Sequence, residues 1–294
     1  MSKILFKLLY VILWIITLLP LRVLYLFSDF FYLIVYYLIP YRKNVVLNNL
    51  KKAFPEKTDE EIVKISKSFY RYFCDFLIES IKSINFSIKR QAKRCTFKNV
   101  EVLNDQYDKG NNIVLVSGHY GNWEWFNLLD LYIKHQFIYA AKVQSNTFSD
   151  KLINDLRQKY GAVFVKMEDT YKTVISKVKN QEKILIWLLA DQRPPQNAEF
   201  WTTFLNQDTA FYLGAAKMVK KLGFSLVFMD NQRIGRGKYE TTFELLCEGK
   251  TELDIYELTE IHVRKLEEEI IQRPEFWLWS HKRWKYTKPE KSTN

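Results

Sequence analysis

The chain has 294 residues, enough for one large domain or two small ones with a sizeable buried core. Its 44 Lys and Arg residues outnumber its 33 Asp and Glu residues, and the net charge of +11 predicts attraction to anionic lipid, nucleic acid or acidic protein. The three cysteines form neither a CxxC pair nor a disulfide framework, which argues against a disulfide-stapled secreted scaffold and fits a reducing compartment.

The N-terminal 41 residues are strongly apolar. From Ile4 to Leu19 only Lys7 interrupts the hydrophobic run, and a second, aromatic-rich run extends to Tyr41. A helix over the first run spans roughly 24 Å, which is short of the ~30 Å hydrocarbon core of a bilayer. We therefore expect residues 1–41 to form a short membrane anchor followed by an interfacial helix. The alternatives are a cleavable signal peptide, for which no small-x-small cleavage site is present, and a pair of buried core helices.

The rest of the chain, residues 42–294, is predicted to be one continuous domain of the size of a catalytic domain. It contains no internal repeat and no low-complexity linker. Its many lysines should keep it on the cytoplasmic side of the membrane, since cytoplasmic segments near an anchor carry an excess of positive charge. Its first long helix is predicted to begin after Thr58, where Thr58 and Glu61 form a capping box, and to end near Ile84.

Beyond residue 111, short apolar runs alternate with helical patterns. The predicted strands are IVLVS (113–117), FIYAAK (137–142), AVFV (162–165), KILIWLLA (183–190), FSLVFM (224–229) and KYETTFELLC (238–247). The predicted helices cover 125–133, 149–161, 169–180, 209–222 and 254–272. This alternation predicts an α/β fold with a central, mostly parallel sheet flanked by helices. In such sheets ligands collect at the carboxyl ends of strands, which is where His119 and Asp191 are placed.

The stretch VSGHYGNWEW, residues 116–125, carries the clearest chemical signal. On one continuous helix, His119 and Glu124 would lie about 140° apart and could not form a pair. The histidine must therefore precede the helix, on a turn that Gly118 and Gly121 permit. There it could fold back toward Glu124 and act as a general base whose second nitrogen is held by a carboxylate. The alternative is a structural histidine near an acid, because this spacing also arises by chance.

The stretch GHYGNWEW resembles the H-x4-acid motif of the lipid A biosynthesis (late) acyltransferases and, more distantly, that of the glycerolipid acyltransferases within the lysophospholipid acyltransferase superfamily. Three other stretches are similar to that family in order and spacing: RKNVVLNNLKKAFPE (42–56), NDLRQKYG (154–161) and RPEFWLWSHKRWK (273–285). The resemblance implies a glycerolipid-acyltransferase-like fold at the inner face of a Gram-negative inner membrane. Such an enzyme would move a fatty acyl chain from acyl carrier protein to a hydroxyl of a phosphorylated glucosamine disaccharide, a lipid A precursor.

The resemblance also implies roles for individual residues. His119 matches the base and Glu124 the acid that orients it, while Arg157 and Asp191 match charged residues near the acceptor. Asn122, inside the same motif, is a further substrate-binding candidate. From the residues alone, Arg157 is either a ligand for a phosphate or carboxylate or a surface cation near a helix end. Asp191 either orders the site or begins a turn.

Two stretches leave the interpretation open. ADQRPP departs from the better-known proteobacterial pattern, so Gln192 and Arg193 stay outside the predicted site and the acceptor is undecided. Some relatives in the superfamily acylate lysophospholipids or amino-acid lipids instead. The C-terminal FWLWSHKRWK is predicted either to form an interfacial aromatic belt with cations reaching the headgroups, or to direct Arg283 or Lys285 toward a phosphorylated headgroup.

Three functions are therefore considered. The first is an O-acyltransferase acting on a lipid A precursor, the second applies the same dyad to a lysophospholipid or aminolipid, and the third is a non-enzymatic membrane lipid-binding protein. The expected partners are acyl carrier protein, a phosphorylated glycolipid acceptor and the anionic inner membrane. No HExxH, G-x-S-x-G, P-loop or nucleic-acid-binding motif is present, so no metal, cofactor or nucleic acid is expected.

Overall fold

In a computed structural model, which describes residues 3–143 and 146–289, a seven-stranded sheet forms the centre of the molecule. The strands of this sheet and of a separate hairpin are β1 (Cys95–Phe97), β2 (Ile113–Ser117), β3 (Gln136–Ala141), β4 (Val163–Lys166), β5 (Ile184–Leu189), β6 (Phe200–Phe204), β7 (Gln207–Phe211), β8 (Ser225–Gly235) and β9 (Lys238–Cys247). The α-helices are α1 (Lys3–Ile16), α2 (Leu21–Leu33), α3 (Lys43–Ala53), α4 (Asp59–Lys82), α5 (Ile88–Ala92), α6 (Glu101–Asp108), α7 (Thr147–Arg157), α8 (Thr170–Lys179), α9 (Gly214–Leu222) and α10 (Ile255–Gln272). The predicted α/β fold with a helix-flanked sheet is confirmed.

The sheet is parallel except at one pair of strands. Its order is β1-β9-β8-β2-β5-β3-β4, and only β8 and β9 run antiparallel. All five residues of β2 are buried, because helices cover both faces of a parallel sheet and its strands then consist of continuous apolar runs. Ser117 at the end of β2 pairs with Leu189 at the end of β5. The segments that follow these two strands therefore leave the sheet side by side, and they carry His119 and Asp191.

The two N-terminal helices are buried to different degrees. α2 packs one face, including Leu24, Tyr25 and Tyr32, against the domain, whereas most described side chains of α1 are exposed. Within the described part of the chain, one helical segment is long and apolar enough to cross a membrane by length and composition, Leu21–Leu38, and it is one-third buried. The alternative of two buried core helices is therefore wrong. The ends of the two predicted domains, residues 1–2 and 290–294, lie outside the described residues.

The helix predicted after Thr58 is confirmed as α4. The backbone N–H of Glu61 donates to Thr58 Oγ1 at 3.2 Å, and the backbone N–H of Thr58 donates to Glu61 Oε2 at 2.8 Å. This reciprocal capping box satisfies N–H groups that otherwise have no partner at a helix start. The carboxyl-terminal half of α4 then packs beside the turn that follows β2, so the cap fixes one wall of the candidate site.

Two predicted helices differ from the observed ones, the first in its starting residue and the second in its helix type. The helix predicted from residue 209 begins at Gly214, because residues 200–211 form the β6–β7 hairpin. Leu205 and Asn206 at its tip both have positive φ, as the favoured two-residue hairpin turns require. The helical spacing after the histidine motif belongs to a 3-10 helix, Trp123–Leu131, rather than to an α-helix. The tighter winding changes the direction in which Glu124 points.

The C-terminal tryptophans belong to the protein core. Trp277 and Trp279 are fully buried, and their rings meet at right angles with centroids 4.7 Å apart. Trp279 Nε1 donates to Pro274 O at 2.6 Å, and Asn49 of α3 donates to Trp279 O at 2.9 Å. The predicted interfacial aromatic belt is therefore wrong for these two residues, which instead hold the C-terminal segment against the sheet.

Candidate active site

The turn between β2 and the 3-10 helix depends on its two glycines. Gly121 has φ +57°, and a Cβ there would collide with the side chain of Asn231. Gly118 lies against α10, where a Cβ would come within 2.5 Å of Leu266 Cδ1 and 3.3 Å of Asp191 Oδ2. Larger side chains would push α10 or Asp191 away from the turn. The expectation that the histidine precedes the helix on a glycine turn is confirmed.

His119 is held by Asp191. The distance from His119 Nδ1 to Asp191 Oδ1 is 2.6 Å, and the backbone N–H of His119 donates to Oδ2 at 2.8 Å. Trp277 Nε1 donates to the same Oδ2 at 2.8 Å. Burial alone would raise the pKa of this carboxyl, but the His119 ring and the three hydrogen bonds outweigh it and lower the pKa of Asp191 to about 2. Asp191 is therefore an anion at neutral pH and makes Nδ1 the protonated ring nitrogen.

The second nitrogen of His119 is left as the basic one. Gln192 Nε2 lies 3.1 Å from His119 Nε2, in the position of a donor to that nitrogen. The ring of Trp123 meets the imidazole edge-on at a centroid distance of 5.1 Å. Gln192 is not among the predicted site residues, but the structure places its amide against the ring. The contact comes from the loop after β5, which also carries Asp191.

Glu124 is paired with Arg157 and not with His119. Arg157 Nε donates to Glu124 Oε2 at 2.9 Å and Nη2 donates to Oε1 at 2.6 Å, a bidentate geometry. Both side chains are 14% exposed, so Arg157 is not a surface cation. The prediction that Glu124 orients His119 is wrong, because the 3-10 helix turns Glu124 toward α7 while Asp191 already occupies Nδ1.

Asn122 is anchored in the protein interior. Its Nδ2 donates to Glu79 Oε2 at 2.8 Å, and Tyr239 donates to the same oxygen at 2.7 Å. Tyr25 of α2 donates to Glu79 Oε1 at 2.8 Å. Burial raises the pKa of the Glu79 carboxyl. The network ties the turn that carries His119 to α2 and α4, while the substrate-binding role of Asn122 stays a prediction.

The C-terminal segment brings two more basic side chains toward Asp191. Burial lowers the pKa of His281 to about 4, so this ring is neutral at pH 7. Burial also lowers the pKa of Arg283, to about 10, and its guanidinium lies 4.7 Å from the Phe211 ring centroid while donating to Ala210 O. Arg283 therefore faces the interior. Of the two cations considered for a phosphorylated headgroup, only Lys285 is exposed.

A sequence model of the family described as "bacterial lipid A biosynthesis acyltransferase" matches residues 1–286. The chain belongs to this family. It is therefore an acyltransferase of lipid A biosynthesis, and the alternative of a non-enzymatic lipid-binding protein is removed. No curated protein sequence matches the chain.

Two apolar cavities adjoin the site of this lipid A biosynthesis acyltransferase. One, of about 300 Å³, reaches Glu124 and is otherwise lined mainly by apolar side chains of α1, α4 and α7. Phe76 forms part of its wall and packs at a tilt against Trp123, with ring centroids 4.1 Å apart, and Trp123 in turn contacts His119. The other, of about 410 Å³, lies beside Ala190 at the end of β5. Within residues 3–143 and 146–289, no group of three His, Cys, Asp or Glu side chains is arranged to hold a metal ion.

Three residues of the site were missed by sequence reasoning. Gln192 was set aside because its stretch departs from the family pattern, and Trp277 was interpreted as interfacial. Glu79 left a usable signal: it follows Phe69 and Phe76 at helical spacing, so an acid stands on the buried stripe of α4. An acid in that position needs buried partners, and one of those partners, Asn122, lies on the turn that carries His119.

Proposed function

We propose that this acyltransferase is membrane-associated and moves a fatty acyl chain from acyl carrier protein to a hydroxyl group of a lipid A precursor, with His119 as the general base. The observation that carries this proposal is the bond between Asp191 and His119 Nδ1, which leaves Nε2 basic at the carboxyl end of β2. Residues 42–294 form the catalytic domain on the cytoplasmic side of the inner membrane, and residues 1–41 attach it there.

The reaction uses His119 first as a base and then as an acid. The acceptor hydroxyl takes the place of the Gln192 amide beside Nε2. Nε2 removes the hydroxyl proton as the oxygen attacks the carbonyl carbon of the acyl thioester. The C–S bond then breaks, and the imidazolium returns the proton to the departing thiolate of the carrier protein. Asp191 stabilises the imidazolium between the two steps because it is an adjacent anion.

Glu124 and Arg157 act as a unit in this proposal. Nε and Nη2 of Arg157 donate to Glu124, so Nη1 is the guanidinium nitrogen that remains for a substrate phosphate or carbonyl. Glu124 fixes the direction of the guanidinium plane. The apolar cavity of about 300 Å³ that adjoins Glu124 is of the right character for the acyl chain. Its position behind Trp123 would keep the chain near His119 Nε2.

Membrane attachment is supported by exposed apolar side chains on the first two helices. Leu8, Ile15, Leu26 and Phe30 are each more than half exposed. Such a surface is unusual for a soluble domain and typical of contact with lipid. The longer segment, Leu21–Leu38, has the length and composition of a membrane span.

Acyl carrier protein is the proposed donor because it is strongly acidic and the chain has a net charge of +11. Transfer from the carrier should slow as the ionic strength rises from roughly 0.05 M to 0.5 M, since salt screens attraction between exposed charges. The matched control is a neutral short-chain acyl thioester, whose use should not depend on salt. A rate from the carrier that is insensitive to salt would exclude electrostatic docking but not the chemistry.

Lipid mass spectrometry tests the acceptor. In a strain that lacks this protein, lipid A should be lighter by one acyl chain, and the wild-type protein but not the His119→Ala variant should restore it. Unchanged lipid A would contradict the proposed acceptor.

The second candidate is acylation of a lysophospholipid or an aminolipid with the same base. It is favoured by one observation, the departure of ADQRPP from the usual pattern at the loop that places Gln192 on the base. The same mass spectra decide between the two, because a missing acyl group in the phospholipid or aminolipid fraction, with lipid A intact, would select this candidate.

A further inference from the structure

A cationic cleft lies where the α1–α2 turn meets the body of the protein. It has a volume of about 380 Å³, and Leu18, Pro20, Leu21 and Phe86 form its apolar wall. Its polar wall contains five cations and no acid: Lys82, Arg90, Lys93, Arg94 and Lys238. We call it the α5 cleft, since most of these cations lie on or beside α5.

Two of these cations are fixed by neutral groups. Lys82 is buried and donates to the carbonyl oxygen of Leu19 at 2.9 Å, and Arg94 donates to the carbonyl oxygen of Gly237 at 3.1 Å. Backbone carbonyls orient a cation without cancelling its charge. Burial lowers the pKa of Lys82, and the nearby charge of Arg90 lowers it further.

The other three cations of the α5 cleft are exposed. Among the described residues, Arg90, Lys93 and Lys238 take part in no salt bridge and no side-chain hydrogen bond, although the chain has 33 Asp and Glu residues that could have supplied one. Three unpaired cations converging with two fixed ones on one cleft form a site with a large positive potential.

A neighbouring, larger cleft shows the contrast. It holds about 840 Å³ between α2 and the β8–β9 turn, and four arginines line it. There Asp75 accepts from Arg233 at 2.6 Å and from Arg236 at 2.7 Å, and Asp29 accepts from Arg236 at 2.6 Å. Two of its four arginines are thus paired with acids of the same lining, whereas the lining of the α5 cleft contains no acid.

We propose that the α5 cleft binds the phosphate headgroup of an anionic glycerophospholipid. Arg and Lys are the residues that bind phosphate oxygens with charge-assisted hydrogen bonds. The apolar wall includes the exposed Leu18, next to the exposed Leu19, and continues into the lipid-facing surface of the first two helices. The acyl chains of a phospholipid could lie along this surface. A free phosphate ion would have no use for it. The proposal rests on the proposed membrane location and adds a lipid site distinct from the His119 site.

A binding assay tests this site. Purified full-length protein in non-ionic detergent is titrated with dioctanoyl phosphatidylglycerol, dioctanoyl phosphatidylcholine and inorganic phosphate, and the Kd of each is measured. The wild-type protein should bind the phosphatidylglycerol at least about tenfold more tightly than the other two, since each cation near a lipid surface contributes about fivefold. The variant R90Q/K93Q lacks two of these cations and should bind the phosphatidylglycerol about 25-fold more weakly than the wild type. Both side chains are exposed, so its Tm without lipid should equal that of the wild type.

The matched control removes the same charge elsewhere. K172Q/K179Q changes two exposed lysines of α8 that have no side-chain partner among the described residues, and it should keep the wild-type Kd. An equal loss of affinity in the control, equal affinity for the two lipids, or inorganic phosphate binding as tightly as phosphatidylglycerol would each overturn the proposal. So would a purified phosphorylated lipid A precursor that binds more tightly than phosphatidylglycerol and loses that affinity in R90Q/K93Q.

The α5 cleft and the proposed function can be contradicted independently of each other. Protein that binds phosphatidylglycerol selectively but transfers no acyl group contradicts the proposed function alone. Protein that acylates the lipid A precursor but shows no phosphatidylglycerol preference contradicts the α5 cleft alone.

Discussion

Asp191 and Glu124 are two carboxylates beside the same turn, and they have different partners. Asp191 follows β5, which runs beside β2, and it accepts hydrogen bonds from His119 and Trp277. Glu124 lies on the 3-10 helix after the turn and is paired with Arg157 in bidentate geometry. One carboxylate holds the His119 ring, and the other positions the Arg157 guanidinium.

Distance along the chain is therefore a poor guide to which acid pairs with a histidine. Glu124 is five residues from His119, whereas Asp191 is 72 residues away. Parallel pairing of Ser117 with Leu189 brings the second acid to the ring and leaves the first free for another role. Four changes test this division of roles.

Removing the base should have the largest effect. His119→Ala should lower kcat for acyl transfer by about 10²- to 10⁴-fold, since that is the usual contribution of a general base. Initial rates of transfer from purified acyl-loaded acyl carrier protein measure this change in kcat. His119→Gln serves as a second variant, because its amide can still donate to Asp191 and preserve the fold. Turnover within threefold of the wild type in a folded variant would rule out His119 as the base.

Neutralising Asp191 should have the next largest effect. Asp191→Asn removes the anion that stabilises the imidazolium and sets the tautomer, so kcat should fall by about a hundredfold or more while KM changes little. Thermal unfolding of the same sample checks that the variant is folded. A kcat close to that of the wild type would show that Asp191 is only a structural acceptor.

Breaking the second pair should have a smaller effect with a different signature. Glu124→Gln and Arg157→Gln should each lower kcat/KM by about tenfold to a hundredfold, because each leaves its partner misplaced in a largely buried site. The double variant should be no worse than either single one, since both changes remove the same arrangement. Additive losses in the double variant would show that Glu124 and Arg157 act separately.

Acid stability gives the smallest predicted difference. The pKa of Asp191 is held at about 2, below its ordinary value of 3.8, so its contribution to folding is present above pH 4 and is lost as the pH falls toward 2. Over that range the wild type should lose about 2 kcal/mol of unfolding free energy relative to Asp191→Asn. Denaturant unfolding at pH 4.5, 3.5 and 2.5 measures this difference. If the unfolding free energies of the two proteins change equally with pH, the His119–Asp191 interaction contributes no stability.

The sequence was sufficient for six of the seven strands of the sheet and for the turn, because their signals are local, whereas the three-residue strand β1 was not predicted. A buried parallel strand is a continuous apolar run, so β2 was predicted with its observed bounds, Ile113–Ser117. The capping box at Thr58 and the glycine turn before Trp123 depend on residues within five positions of each other. Patterns of this range can be read without knowing the fold.

The pairings of the site could not be predicted in this way. Whether Asp191 or Glu124 meets His119 depends on strand register and on the winding of a 3-10 helix, which apolar periodicity does not distinguish from an α-helix. Tryptophan is a residue type typical of membrane interfaces. The C-terminal segment nevertheless folds back, so that Trp277 pairs with Tyr120 and is buried. Long-range packing decided both cases.

The most direct test of the account is the tautomer of His119, measured by ¹⁵N NMR of histidine-labelled protein at a pH where the ring is neutral. The chain has four histidines, so the His119 signals can be assigned by their absence in His119→Gln. The account predicts that the proton is on Nδ1 in the wild type and in Glu124→Gln, and that this preference is lost in Asp191→Asn. A tautomer that changes in Glu124→Gln and persists in Asp191→Asn would contradict it.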